Sequence, residues 1–129
     1  MLNFKNVKVI LFDFDETLCI HHGHIPGTGT TDEFADLIKE GADIYKNKEG
    51  NIQLKKFIVL CKNKGIEIGI ISACSSFIAM NVKRQWAERT YSTSFTNYCV
   101  DSAEHKINML EAIHKAYGFQ RSQIAIVDD

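Results

Sequence analysis

The sequence predicts an α/β fold, a doubly wound three-layer sandwich in which helices cover both faces of a mostly parallel sheet. Short apolar segments alternate along the chain with segments whose apolar residues recur at helical spacing. Alternating strands and helices form parallel sheets, because two parallel strands need a crossover connection between them. The 129 residues contain no repeat, linker or low-complexity segment, so a single domain over residues 1–129 is expected.

The first part of the chain is expected to hold a strand, a loop and a helix. The strand is predicted at residues 7–12, an apolar run that ends at two acidic residues in VILFDFDETL. Residues 19–31 contain three glycines and the only proline, a composition typical of a loop. Thr31 or Asp32 would cap the helix that follows, although Gly41 weakens it. The apolar face of that helix would consist of Phe34, Leu37, Ile38 and Tyr45.

The remaining chain is predicted to alternate between helices and strands. One helix carries apolar residues at i, i+3, i+4 and i+7, from Leu54 to Cys61, and Gly65 closes it. Gly118 closes the last helix in the same way. The other predicted elements are a strand at residues 66–72, a helix from Ser75 or Ser76 to about Arg89, a strand at 95–100, a helix at 104–117 and a final strand in IAIVDD.

Polar residues stand where the predicted strands end. Ligands of parallel α/β sheets bind beyond the carboxyl ends of the strands. We therefore expect the polar strand ends to line one crevice, together with a lysine that enters the last helix on the same side of the sheet. These residues are Asp13 and Asp15 after the first strand, Ser72 at the end of the second, Lys106, and Asp128 and Asp129 at the end of the fourth.

Several carboxylates in one crevice need a cation. Two carboxylates about 4 Å apart repel each other by roughly 4 kcal/mol at an effective dielectric constant of about 20. Oxygen ligands favour Mg²⁺, which binds through one or two carboxylates and recruits a phosphate. A hydroxyl and an ammonium group could hold phosphate oxygens, one carboxylate could act as a nucleophile, and another as a general acid and base. The pattern indicates phosphoryl chemistry with Mg²⁺ as the cofactor.

In these motifs and their order, the sequence resembles the haloacid dehalogenase (HAD) superfamily of phosphohydrolases. The family's motifs are an hhhhDxDxT strand end, a Ser or Thr ending the second strand, a downstream Lys and an acidic pair after the fourth strand. They correspond here to VILFDFDETL, IGIISA, HK and IAIVDD, and the resemblance covers essentially the whole chain. It implies catalytic roles for Asp13 and Asp15, phosphate binding by Ser72, Lys106 and Thr17, and metal binding by Asp13, Asp15, Asp128 and Asp129.

The resemblance also implies how these residues divide the reaction. Asp13 would be the nucleophile and a metal ligand. Asp15 would be the general acid and base, with its backbone carbonyl also on the metal. Thr17 would steady the turn after the nucleophile. Asp129 would bind the metal, with Asp128 beside it as an alternate or supporting ligand. The implied activity is Mg²⁺-dependent hydrolysis of a phosphomonoester through an aspartyl-phosphate.

The chain departs from the family's pattern in two ways. Residues 19–51 are long enough for a small flap and a helix but not for a cap domain, so an open site is expected. The sequence ends at Asp129, before the helix and strand with which the family usually continues. The protein is expected to be either naturally short or a truncated form. The fourth strand would then be an unpaired edge, through which a homodimer could form.

The same motifs leave two other functions open. A phosphotransferase using the same intermediate and a truncated, non-catalytic phosphate-binding remnant both stay open. A dehalogenase is disfavoured because a departing halide needs no proton. A receiver domain is disfavoured because its acidic pair ends the first strand and its phospho-accepting Asp ends the third, which is not the order found here. The stretch of Cys19, His21, His22 and His24 matches no tetrahedral zinc pattern, so these histidines are interpreted as incidental residues of a flexible loop.

Composition excludes further classes. The net charge is −1 and no block of Lys or Arg occurs, so nucleic acid is not an expected partner. No signal peptide or membrane-spanning apolar run is recognisable, so no membrane partner is expected. The expected partner is a phosphorylated substrate. The scattered cysteines are typical of reduced thiols in a cytoplasmic protein, mostly in the core: Cys19, Cys61, Cys74 and Cys99.

Overall fold

The chain forms an α/β structure around a small parallel sheet. The computed structural model describes residues 6–21, 37, 40–73, 77–100 and 106–127. In chain order its elements are β1 (Val9–Phe12), β2 (Cys19–Ile20), β3 (Glu49–Gly50), α1 (Ile52–Asn63), β4 (Glu67–Ala73), α2 (Phe77–Tyr91), β5 (Thr96–Val100), α3 (Lys106–Tyr117), a 3₁₀ turn (Arg121–Gln123) and β6 (Ile124–Val127).

The main sheet has the strand order β5-β4-β1-β6, and each neighbouring pair is parallel. β1 therefore lies between β4 and β6. All four of its residues are fully buried, which explains why it is an uninterrupted apolar run rather than an alternating one. Within the described residues, β6 pairs with β1 alone. The four strands predicted at residues 7–12, 66–72, 95–100 and in IAIVDD are thus confirmed as β1, β4, β5 and β6.

Helices cover both faces of this sheet. Ile10 and Phe12 of β1 belong to the larger apolar cluster, which includes Ile58 of α1 and Trp86 of α2. Val9 and Leu11 point the other way, into a smaller cluster with Ile113 of α3. Successive strand residues face opposite sides, so β1 supplies both cores. None of these helices, in the part of the chain that is described, is both long and apolar enough to cross a bilayer.

Local sequence signals set the helix boundaries. The Asn51 side chain caps α1 by accepting hydrogen bonds from the N–H groups of Gln53 and Leu54 at 3.1 and 3.3 Å. At the other end, Gly65 has a φ of +74°, and the same value recurs at Gly118 after α3. A left-handed residue ends a helix, and glycine adopts it without strain. The predicted closing roles of Gly65 and Gly118 are confirmed.

The predicted helix reaching Tyr45 is wrong at its C-terminal end. Residues 40–47 form no helix: they consist of two turns, at 40–41 and 44–47, with Gly41 at a φ of +78°. Tyr45 is buried and packs edge-on against the Phe14 ring, with ring centroids 5.0 Å apart. This contact with the core replaces the predicted contact along a helix face. Most of the predicted N-terminal part of that helix, including Phe34 and Ile38, lies outside the described residues.

Part of the predicted loop at residues 19–31 also differs. Cys19 and Ile20 form β2, which pairs antiparallel with β3 in a separate two-stranded sheet. The Tyr91 hydroxyl at the end of α2 accepts a hydrogen bond from the Asn51 N–H at 2.8 Å and donates one to the Leu18 carbonyl. Burial raises the pKa of Tyr91, which keeps the hydroxyl protonated for this second bond. The Tyr91 hydroxyl therefore connects the segment after β1 to α2 through a hydrogen bond.

Candidate active site

The carboxyl ends of β1 and β4 bring two predicted site segments side by side. Phe12 is the register partner of Ile70, so Asp13 and Ser72 follow at the ends of adjacent parallel strands. The Asp13 N–H donates to the Val127 carbonyl at 2.9 Å, which fixes the end of β1 against the end of β6. Asp13 is half-buried, and Ser72 is buried. Asp128 directly follows Val127 in the chain, but Asp128 and Asp129 lie outside the described residues.

A tight turn after Asp13 positions Asp15. The Cys19 N–H donates to the Phe14 carbonyl at 3.0 Å, and the Glu16 N–H donates to the Cys19 carbonyl at 2.8 Å. Glu16 has a φ of +64°, a left-handed conformation that costs about 1–3 kcal/mol in a non-glycine residue. The Phe14 ring is fully buried, whereas Asp15 is only partly buried.

Both oxygens of the Asp15 carboxylate have hydrogen-bonding partners. Its Oδ1 lies 2.8 Å from Nε2 of His21, and its Oδ2 lies 3.3 Å from Nζ of Lys83. About a quarter of the Asp15 side chain is exposed (27%), whereas that of His21 is fully buried (0%) and that of Lys83 nearly so (7%). The acidic group is thus held on two sides by side chains from the core.

Lys83 also connects two predicted site residues. Its Nζ donates to the Ser72 Oγ at 2.9 Å and lies 5.1 Å from the centre of the Phe14 ring. A buried ammonium group is costly unless it is paired and hydrogen-bonded. Here a carboxylate, a hydroxyl and the face of an aromatic ring together compensate for the lost hydration. Lys83 therefore joins Asp15 to Ser72.

Lys83 was not predicted as a site residue, although the sequence contains a signal for it. The buried side of α2 includes Ala79, Met80, Trp86 and Ala87, and Lys83 falls on the same side at helical spacing. A lysine within an apolar helix face is costly to bury unless its ammonium group is paired, so such a residue indicates a buried partner. The predicted lysine, Lys106, is the first residue of α3, and its side chain lies outside the described residues.

His21 was predicted to be an incidental residue of a flexible loop, but its side chain is buried and contacts Asp15. It follows β2 directly, is buried, and its N–H donates to the Glu16 carboxylate at 2.9 Å. Its ring lies 6.0 Å from that of Tyr45, centre to centre. No sequence pattern marks this role, because the contact with Asp15 depends on the turn between the two residues. His22 and His24 lie outside the described residues.

Two buried polar atoms beside this turn have no hydrogen-bond partner in the part of the chain that is described: Oγ1 of Thr17 and Nδ1 of His21. The turn that Thr17 was predicted to steady is held instead by backbone bonds, including one from the Thr17 N–H to the Phe14 carbonyl at 3.3 Å. A buried polar atom without a partner costs about 1–3 kcal/mol, so a water molecule, an ion or a ligand would be favoured beside these two atoms.

The described residues can supply some of the oxygen ligands that Mg²⁺ prefers. Asp13 contributes a half-buried carboxylate at the end of β1. Because His21 and Lys83 engage both carboxylate oxygens of Asp15, its backbone carbonyl is the better ligand from that residue. The three backbone bonds of the turn do not use this carbonyl. Among the described residues, no three Asp, Glu, His or Cys side chains lie close enough to hold a metal ion by themselves.

The Cys19 thiol lies next to this group and is strongly protected from ionisation. Burial, reinforced by the nearby Asp15 carboxylate, raises the pKa of Cys19 to about 12. Cys61 is also a free, buried thiol, and burial raises its pKa as well. Among the described residues, both thiols belong to the larger apolar cluster, as predicted for core cysteines.

The raised pKa of Cys19 predicts low reactivity. In the folded protein at pH 8, iodoacetamide should leave Cys19 unmodified for hours, because only the thiolate reacts. In urea, the same residue should react within minutes. Its pKa is higher in the folded state than the usual 9.0, so this thiol should also cost stability as the pH rises above about 9. Peptide mapping by mass spectrometry measures the reactivity; fast labelling of the native protein would contradict the buried position.

Comparison with known proteins identifies a solved structure with a similar fold. No protein-family model matches the sequence, and no curated protein matches it. The structure is similar to the crystal structure of a hypothetical protein from Xanthomonas campestris, with a TM-score of 0.56 and 17% sequence identity. The similarity covers 96% of this chain but 56% of that protein, so the chain spans little more than half of its length. At this level of identity, what the two proteins share is an α/β fold.

Proposed function

We propose that this protein is a Mg²⁺-dependent phosphomonoester hydrolase with a doubly wound fold of the HAD type, acting in the cytoplasm. The observation that carries the proposal is the meeting of Asp13, Asp15 and Ser72 at one edge of the sheet, where the buried Lys83 ammonium bonds two of them. These residues come from separate sequence motifs. Carboxylates, a hydroxyl and an ammonium group at the ends of parallel strands are suited to binding and attacking a phosphate.

The first chemical step would be attack by a carboxylate oxygen of Asp13 on the substrate phosphorus. The bond between phosphorus and the leaving oxygen breaks as the new bond forms, and Asp15 gives that oxygen a proton. The product is an aspartyl-phosphate on Asp13 and a free alcohol. Bound Mg²⁺ would supply positive charge that offsets the charge of the phosphate and of the acids around it.

The second step would release the phosphate. Asp15, now ionised, takes a proton from a water molecule, whose oxygen attacks the same phosphorus. The bond from phosphorus to Asp13 breaks, which restores both carboxyl groups and frees inorganic phosphate. The position of Asp15 supports this double role, because its side chain is 27% exposed and so can reach both a leaving group and water. The Ser72 hydroxyl, which accepts a hydrogen bond from Lys83, can donate its own hydrogen to a phosphate oxygen.

Hydrolysis of p-nitrophenyl phosphate tests this proposal. We expect phosphate release with Mg²⁺ to fall at least about tenfold after chelation with EDTA, and to recover when Mg²⁺ is added back. Ca²⁺ serves as the control ion, because it prefers longer bonds and more ligands and should restore little activity. Activity that is indifferent to EDTA would contradict the role of the metal. No activity under either condition would contradict the proposed function and favour a phosphate-binding remnant.

A further inference from the structure

We propose that His21 and Lys83 are positioning residues that hold the Asp15 carboxylate between them, one on each oxygen. The inference rests on the proposed phosphatase reaction, in which Asp15 exchanges protons with the leaving group and with water. Neither residue belongs to the motifs on which that reaction was predicted. Both reach Asp15 from the core side, and both bonds are within hydrogen-bonding distance.

His21 provides a fixed point for one oxygen. Its side chain is fully buried, its ring packs near Tyr45, and its backbone N–H is bonded to the Glu16 carboxylate. A ring held in this way cannot follow the motion of a more exposed partner. The 2.8 Å contact between His21 Nε2 and Asp15 Oδ1 therefore restricts the movement of Asp15 more than that of His21. A neutral imidazole with its hydrogen on Nε2 is sufficient to donate to Oδ1.

Lys83 fixes the other oxygen and sets its distance from the phosphate-binding hydroxyl. It stands in the middle of α2, 68 residues from Asp15 in the sequence, and its Nζ bonds both Asp15 and Ser72. The ammonium is nearly buried, so it cannot leave for solvent without losing both bonds. Any shift of Lys83 would displace the acid and the hydroxyl together. Lys83 thus couples proton transfer to phosphate binding, whereas His21 acts on proton transfer alone.

This arrangement should matter most when the leaving group needs a proton. An acid displaced by about 1 Å can lose roughly 10²-fold in rate. Alkyl phosphates depend on protonation of the leaving oxygen, whereas p-nitrophenolate departs with little help. Loss of a positioning residue should therefore separate these substrates. A residue that merely stabilises the fold would lower both rates together.

Four variants and a matched control test the proposal with Mg²⁺ on p-nitrophenyl phosphate and on an alkyl phosphate. His21→Phe keeps a ring but removes the donor, and His21→Gln keeps a donor. Lys83→Met keeps the chain length without the charge, and Lys83→Arg keeps the charge. Arg84→Met is the control, because Arg84 is the next residue of α2 and pairs with Glu88 instead.

We expect His21→Phe to lower kcat/KM for the alkyl phosphate about 10–100-fold and for p-nitrophenyl phosphate less than about threefold, because kcat/KM excludes the hydrolysis of the aspartyl-phosphate, which both substrates share. His21→Gln should recover part of the loss. Lys83→Met should show the same preference and also raise KM for both substrates about tenfold, because Ser72 loses its partner; Lys83→Arg should be intermediate. Arg84→Met should change neither substrate's kinetics by more than about twofold. Equal losses on both substrates in His21→Phe, or no loss, would overturn the proposal.

A separate measurement distinguishes failure of this inference from failure of the proposed function. If the unmodified protein has no Mg²⁺-dependent activity, the phosphatase assignment is wrong and the catalytic role of the two residues is wrong with it. The contact itself is then tested by urea unfolding of His21→Phe, Asp15→Asn and the double variant. Coupled residues should give a midpoint shift in the double variant that differs from the sum of the single shifts. Additive shifts would show that His21 does not hold Asp15.

Discussion

Replacing Asp13 by asparagine is expected to lower phosphate release by at least about 10⁴-fold, the size of effect seen when a catalytic nucleophile is removed. The amide has the shape of the carboxylate but cannot attack phosphorus. The variant should fold normally, because the bond from the Asp13 N–H to the Val127 carbonyl involves only the backbone. Phosphate release in single-turnover and steady-state assays measures the loss, and circular dichroism checks the fold.

Asp43→Asn is the matched control for Asp13→Asn. Asp43 is an acidic surface residue that pairs with Arg89 and does not belong to the proposed site. This variant should retain the activity of the unmodified protein, because exposed ion pairs contribute little. If Asp13→Asn retained even a tenth of the activity while remaining folded, Asp13 could not be the nucleophile, and an attack by water without a covalent intermediate would have to be considered.

The second large effect is expected from Asp15→Asn, and its size should depend on the substrate. General acid and base catalysis contributes about 10²–10⁴-fold, so alkyl phosphates should lose activity in this range. p-Nitrophenyl phosphate should lose much less in the first step, because its phenolate leaves without a proton. The ratio of kcat/KM values for the two substrates, compared with that of the unmodified protein, gives the result directly.

Interpretation of Asp15→Asn requires a measurement of stability. The new amide would present N–H groups close to the buried donors of His21 and Lys83, so some destabilisation is expected. Assays should therefore be done well below the unfolding midpoint of the variant. If both substrates lost activity equally in a folded variant, Asp15 would not be the acid, and a structural role in holding Lys83 would be the better explanation.

The elements that were predicted correctly are those with strong local signals. The run VILF is apolar at every position because β1 is buried on both faces, and this pattern identifies a central parallel strand. Gly65 and Gly118 mark helix ends because a left-handed residue is needed there. The predicted parallel strands all end at the same edge of the sheet, so Asp13 and Ser72 are expected at this edge. Local sequence therefore predicted the strands of the sheet and the positions of Asp13 and Ser72 at its edge.

What could not be predicted depends on contacts between distant parts of the chain. The Tyr91 hydroxyl and the Leu18 carbonyl are 73 residues apart, and their bond belongs to no motif. Tyr45 lies at helical spacing from the apolar residues before it, but in the structure its ring packs against Phe14. The bond from Lys83 to Asp15 likewise exists only because α2 packs over the end of β1. In each case the contact is set by tertiary packing and not by a local pattern.

The hydrogen bond between Asp13 and Val127 has a consequence for how heat would affect the protein. β6 is a short strand that, among the described residues, pairs with β1 alone, whereas β1 is paired on both sides. Short edge elements open locally at a smaller free-energy cost than the rest of a domain. When β6 detaches, the backbone of Asp13 loses its support, and the two apolar cores lose only the partly buried residues that β6 packs against them, Ile124, Ala125 and Val127. The free energy of this local opening, rather than that of global unfolding, would then limit the temperature range in which the candidate nucleophile is held in place.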